Sequence, residues 1–98
     1  MIQSPPPSPA SRAQDEALAL GALTWIVSDA ARGDRLLALT GLSPADLRAS
    51  LDAPATLAAV MAFLMAHEAD LVACADALGV SGGVLAASAA RLDGGIDA

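Results

Sequence analysis

His67, Asp70 and Cys74 fall at i, i+3 and i+7. On one continuous helix they would share a face, and imidazole, carboxylate and thiolate all ligate ions such as zinc. A structural zinc site takes four ligands, and no second cluster accompanies these three. The spacing therefore promises a helix joint at His67 and a small buried thiol at Cys74 rather than a metal centre. Catalysis has as little to build on. His67 is the only histidine and Cys74 the only cysteine, and such a pair implies no dyad by itself. Ser43 and Ser81, the two prominent serines, stand where helix caps belong. Gly79, Gly82 and Gly83 follow a helix, and the chain has no lysine, so no phosphate loop is written here. Asp46 and Arg48 flank Leu47 and belong to a solvated helix face. No catalytic residue, cofactor or metal is expected.

The segment from Ala75 through Gly79 to Leu85 has the spacing of a helix-turn-helix. Small residues let two helices cross, a glycine turns the chain, and a later aliphatic locks the second helix. That pattern specifies a packing angle. Reading DNA further requires side chains that reach bases and phosphates. The would-be recognition helix offers Gly82, Gly83, Val84, Ala86, Ala87 and Ser88, with Arg91 as its one base, while Asp70 and Asp76 repel phosphate from the helix before it. A structural corner is the expectation, and a degenerate DNA-binding regulator is the alternative function.

Binding has a better claim on Phe63 and Met65. Met61 joins Leu57, Val60 and Leu64 in a stripe at helical spacing, whereas Phe63 and Met65 lie off it. A helix with large apolar groups all round is either wrapped by others or meets a partner. The expectation is a central, wrapped helix, with Phe63 and Met65 as candidate partner-binding residues.

Six helices can carry these residues. Residues 1–11, rich in proline and serine, are expected to be a disordered tail, and residues 12–94 a single helical domain. Ser11-Arg12-Ala13-Gln14 has the form of a capping box and should open helix 1. Leu18, Ala22, Trp25 and Ile26 then face the core, with Gly21 marking a close helix crossing. Helix 1 is predicted to end near Ala31, with Gly33 as its stop. Asp34 should cap helix 2, whose apolar residues are Leu36, Leu37 and Leu39. Ser43-Pro44-Ala45-Asp46 opens helix 3, with Leu47 and Leu51 inward, and Asp52-Ala53-Pro54 launches helix 4. Ala66-His67-Glu68 marks a joint, though a single helix across it stays open. Helix 5 carries Leu71, Val72, Ala75 and Leu78. Helix 6 carries Leu85, Ser88 or Ala89, and Leu92, and Gly94-Gly95 closes it. The phrase glycine, aliphatic, serine occurs twice, at Gly41-Leu42-Ser43 and Gly79-Val80-Ser81. Both copies read as a helix end, a corner and the next cap.

Composition agrees with an all-α chain. Of 98 residues, 55% are hydrophobic, yet Trp25 and Phe63 are the only aromatics, so leucine, valine, methionine and alanine must build the core. The net charge of −6 repels phosphate backbones and anionic membranes, which weighs against nucleic-acid and membrane partners. A lone cysteine allows no internal disulfide. No signal peptide and no uncharged run of ~18–20 residues is evident, so a cytoplasmic protein is expected.

The run Leu36-Leu37-Ala38-Leu39-Thr40-Gly41-Leu42-Ser43-Pro44-Ala45-Asp46-Leu47-Arg48 is the most specific part of the chain. Ala17-Leu18-Ala19-Leu20-Gly21-Ala22-Leu23-Thr24-Trp25 precedes it. Leu57-Ala58-Ala59-Val60-Met61-Ala62-Phe63-Leu64, and then Glu68, follow it. Together these resemble a family of small alphaproteobacterial proteins known only as a domain of unknown function, the one numbered 3572. The resemblance spans residues 15–92. It implies an all-helical fold and carries no activity, ligand or catalytic residue. Gly82-Gly83 departs from the family's stronger helix start and leaves the first turn of helix 6 weak.

The sequence thus leads to a compact all-α bundle of five or six short helices. The expected role is a non-enzymatic module acting on an unidentified protein partner or by self-association.

Overall fold

The computed structural model describes residues 9–97, with side chains placed for residues 12–94. Six helices follow one another: α1 (Pro9–Val27), α2 (Ala30–Thr40), α3 (Pro44–Ala49), α4 (Pro54–Met65), α5 (Glu68–Leu78) and α6 (Gly82–Asp97). The fold is all-α, with no strand among the described residues. The expected tail falls partly outside them: residues 1–8 are not described, while residues 9–11 already belong to α1. Ser11 therefore lies inside a helix and does not cap one.

α4 is the axis of the bundle. Thr56, Leu57, Ala58, Val60, Met61, Phe63 and Leu64 are all buried, so the helix is enclosed on most of its circumference. α6, α1, α5 and α2 supply the enclosure. Ala19, Ala22 and Ile26 of α1 are fully buried against it, as are Leu36 of α2, Cys74 of α5 and Leu85 of α6. Ser88, Ala89 and Leu92 continue the buried side of α6. Alanine at so many contacts lets helix axes approach closely. At Gly21 a β-carbon would stand 3.2 Å from Leu78 Cδ2, so α1 and α5 cross where the sequence placed its glycine.

The two glycine corners form as written. Gly41 and Gly79 take left-handed conformations, with φ of 73° and 72°. Gly41 N–H donates to Leu37 O at 2.8 Å. At the second corner, Val80 N–H reaches back to Ala75 O and Gly79 N–H to Asp76 O. Ser43 caps α3 in a reciprocal box: its Oγ accepts from Asp46 N–H, and the Asp46 carboxylate accepts from Ser43 N–H. Ser81 Oγ accepts from Val84 N–H at 3.1 Å, and α6 starts at Gly82 despite its glycine pair.

Three boundaries differ from expectation, all for related reasons. α1 ends at Val27, not Ala31, because Asp29 is the earlier cap: its carboxylate accepts from Arg32 N–H and opens α2. Asp34 then lies inside α2, as does Gly33. That glycine faces the end of α1, where a β-carbon would sit 3.6 Å from Val27 Cα. Gly94-Gly95 likewise fails to stop α6. Glycine lowers helix propensity, but it ends a helix here only where it takes the left-handed turn, as Gly41 and Gly79 alone do among the described residues. Two of the apolar residues carried by helices 2 and 5, Leu39 and Val72, stand on the surface, 66% and 55% exposed.

No single helix among the described residues is long and apolar enough to cross a membrane. α4 and α5 reach that length only together, and they are bent by 113° at the joint.

Two sets of substitutions follow. Leu57→Ala removes a central side chain and should cost about 2–5 kcal/mol in urea melts, with Leu47→Ala at the lower end of that range. Gly79→Ala should cost about 1–2 kcal/mol, because alanine must occupy the left-handed conformation there.

Candidate functional site

The His67 joint separates the residues that a continuous helix would have aligned. His67 stands before the first turn of α5, and its ring folds back on α4, with Nδ1 2.8 Å from Phe63 O. The imidazole and Phe63 rings are 4.9 Å apart. Asp70 turns to Arg35 of α2, whose Nη2 lies 3.3 Å from Asp70 Oδ2. Cys74 is fully buried, and burial pushes its thiol pKa up; Arg32 opposes the shift and Asp70 reinforces it. The structure does not bring the three together. Among the described residues no group of three or more histidines, cysteines or acids could hold an ion.

At the α5–α6 corner, whose sequence has helix-turn-helix spacing, Arg91 is engaged elsewhere. Its Nε and Nη2 donate to the two carboxylate oxygens of Asp15 on α1, at 2.8 and 2.7 Å. Asp15 is only 4% exposed. Its pKa lies below the ordinary carboxylate value, chiefly because of this bidentate hydrogen bond, with burial opposing. Ser88 adds to the lowering, although its fully buried Oγ makes no hydrogen bond of good geometry. The sequence suggested Asp15 only as a first-turn acid; nothing local reveals a partner on the last helix.

Arg32 also serves the fold. Its guanidinium stacks 3.8 Å from the Trp25 ring centroid and donates to Trp25 O. That closes the end of α1 with a residue from α2.

What remains open is a groove between α2 and α4. Its cavity volume is about 440 Å³. Ala55, Ala59, Ala62 and Ala66 recur at steps of four, three and four along α4, so they form one face of it. Leu39 and Leu42 stand opposite, and Phe63 closes the inner wall. Thr40 contributes little polarity, since its hydroxyl donates to Leu36 O and accepts from Leu42 N–H. No charged side chain lines the groove. It can hold an apolar surface, and it contains neither a nucleophile nor a base.

Of the two residues singled out for binding, Phe63 is buried in the wrapped helix and forms part of the groove wall. It is 3% exposed and reaches solvent only through the groove, because Arg35 and His67 cover its edge. Met65 is 37% exposed and does not line the groove. Leu39 is the large exposed residue beside it, and the one trace of the groove in the residue order is the run of alanines at helical spacing on α4.

The family model described as "Protein of unknown function (DUF3572)" matches residues 12–95, and the chain belongs to that family. No curated protein and no solved structure matches it.

The Asp15–Arg91 pair gives a pH signature. Asp15 titrates below the unfolded value of about 3.9, so its contribution is complete above that pH. It is lost as pH falls through the native pKa. In thermal melts Asp15→Asn should lower the Tm at pH 7, and the gap to wild type should narrow steadily below about pH 4.

Proposed function

We propose that this member of the family is a non-enzymatic interaction module that receives an amphipathic helix of another protein in its α2–α4 groove. The groove itself carries the proposal. It is long along α4, mostly apolar and without a charged side chain, and flanked by Leu39, which is 66% exposed. A two-thirds exposed leucine beside an alanine face does nothing for the isolated bundle. The alanines leave room for a partner's large side chains, and Leu39 and Leu42 offer them a wall. Helix-in-groove recognition reuses the same packing that holds helices inside a protein. Phe63 then acts from within, as the inner wall of the groove. The proposed setting is the cytoplasm, which suits a lone thiol kept reduced at Cys74.

A tagged pull-down from the source cell at low salt, read by mass spectrometry, tests this. Wild type should recover one stoichiometric protein. Leu39→Glu and Ala62→Glu, both at exposed positions, should lose it while retaining wild-type helicity and melting. Recovery unchanged by either substitution would remove the groove from the proposal. Recovery of nucleic acid alone would favour the helix-turn-helix alternative.

A further inference from the structure

The other flank of α2 faces a second cavity, enclosed with α1 and α3 and holding about 480 Å³. Val27, Leu37, Leu47 and Leu51 make its walls apolar. Two charges of opposite sign, Asp34 and Arg48, line it as well. They form no ion pair with each other, and neither is paired with another described residue.

The use of arginine elsewhere makes this unusual. The chain has five arginines. Arg32 closes the end of α1, Arg35 holds Asp70, and Arg91 holds Asp15. Arg12 lines neither cavity. Arg48, in the last turn of α3, is thus the one arginine that lines a cavity and forms no ion pair among the described residues, in a protein of net charge −6. Two such acidic copies repel at long range, so a face that joins them must bring its own cation. A twofold interface is self-complementary: if residue i of one copy meets residue j of the other, then j meets i. One acid and one base beside the same apolar surface meet that condition, since Asp34 can face the partner's Arg48 and Arg48 the partner's Asp34. Val27, 51% exposed, lies on the apolar part of the same face.

We infer that the α1–α2–α3 face is a twofold self-association surface, closed by reciprocal Asp34–Arg48 pairs around Val27. This goes beyond the α2–α4 groove and does not depend on it, because α2 turns different residues to each.

Charge reversal tests it on the full chain by sedimentation equilibrium in low-salt buffer. Wild type should show a monomer–dimer equilibrium. Asp34→Arg and Arg48→Asp should each weaken it by about tenfold or more, since each turns two attractions into two repulsions. Mixed in equal amounts, the two variants should dimerise with each other at near wild-type affinity, because both reciprocal pairs are restored. That recovery also shows that each variant is folded. A wild type that stays monomeric across the concentration range overturns the inference. So does a dimer indifferent to either reversal, or a mixture that stays monomeric.

Discussion

Everything in this bundle answers to the apolar circumference of α4. A helix with leucine, valine, methionine and phenylalanine pointing in nearly every direction has no solvent face to offer. It must be wrapped, and α1, α2, α5 and α6 are laid around it. The short connections follow from that demand, because four helices must each return to the same axis. The bend at His67 follows too. It ends α4 where the wrapping ends and sends α5 back across α1, where Gly21 admits Leu78. The one stretch of α4 left open is its alanine face, and that opening is the groove.

Charge is used sparingly and at joints. Most helix ends are closed by their own caps, and two arginines of α2 add bonds to the helices on either side. Arg32 comes from α2 to the last carbonyls of α1, and Arg35 spans from α2 to the start of α5. Each arginine also lies near an aromatic ring, Trp25 in one case and Phe63 in the other. The only two aromatic residues of the chain thus sit beside cations from a single helix.

Local chemistry was legible in the sequence, and long-range chemistry was not. Gly41-Leu42-Ser43 and Gly79-Val80-Ser81 announced their corners because a left-handed glycine and a serine cap act within a few residues. The stripe Leu57, Val60, Met61 and Leu64 announced the core. Asp29 and Asp34 both precede helical residues, and the cap falls to Asp29 because its carboxylate, in an extended backbone conformation, accepts from Arg32 N–H. Leu36 and Leu39 are both leucines of one helix, and nothing local tells that the first is buried and the second two-thirds exposed. The binding role given to Phe63 rested on its distance from a stripe, and that criterion cannot distinguish a surface from a second buried side. Asp15 and Arg91 lie 76 residues apart, and nothing near either one hints at the other.

That separation bears on how the chain is made. Ribosomal synthesis delivers α1 first and α6 last. Until α6 emerges, Asp15 has no cation to receive it, and Ala19, Ala22 and Ile26 have only part of their final surroundings. The first helix can meet α2, α4 and α5 as each emerges, but its one bidentate ion pair, and the α6 side of its packing, must wait for the last helix. Nascent chains paused before α6 should expose the side of α4 that α6 covers, which is the interval in which such a chain most needs a chaperone's cover.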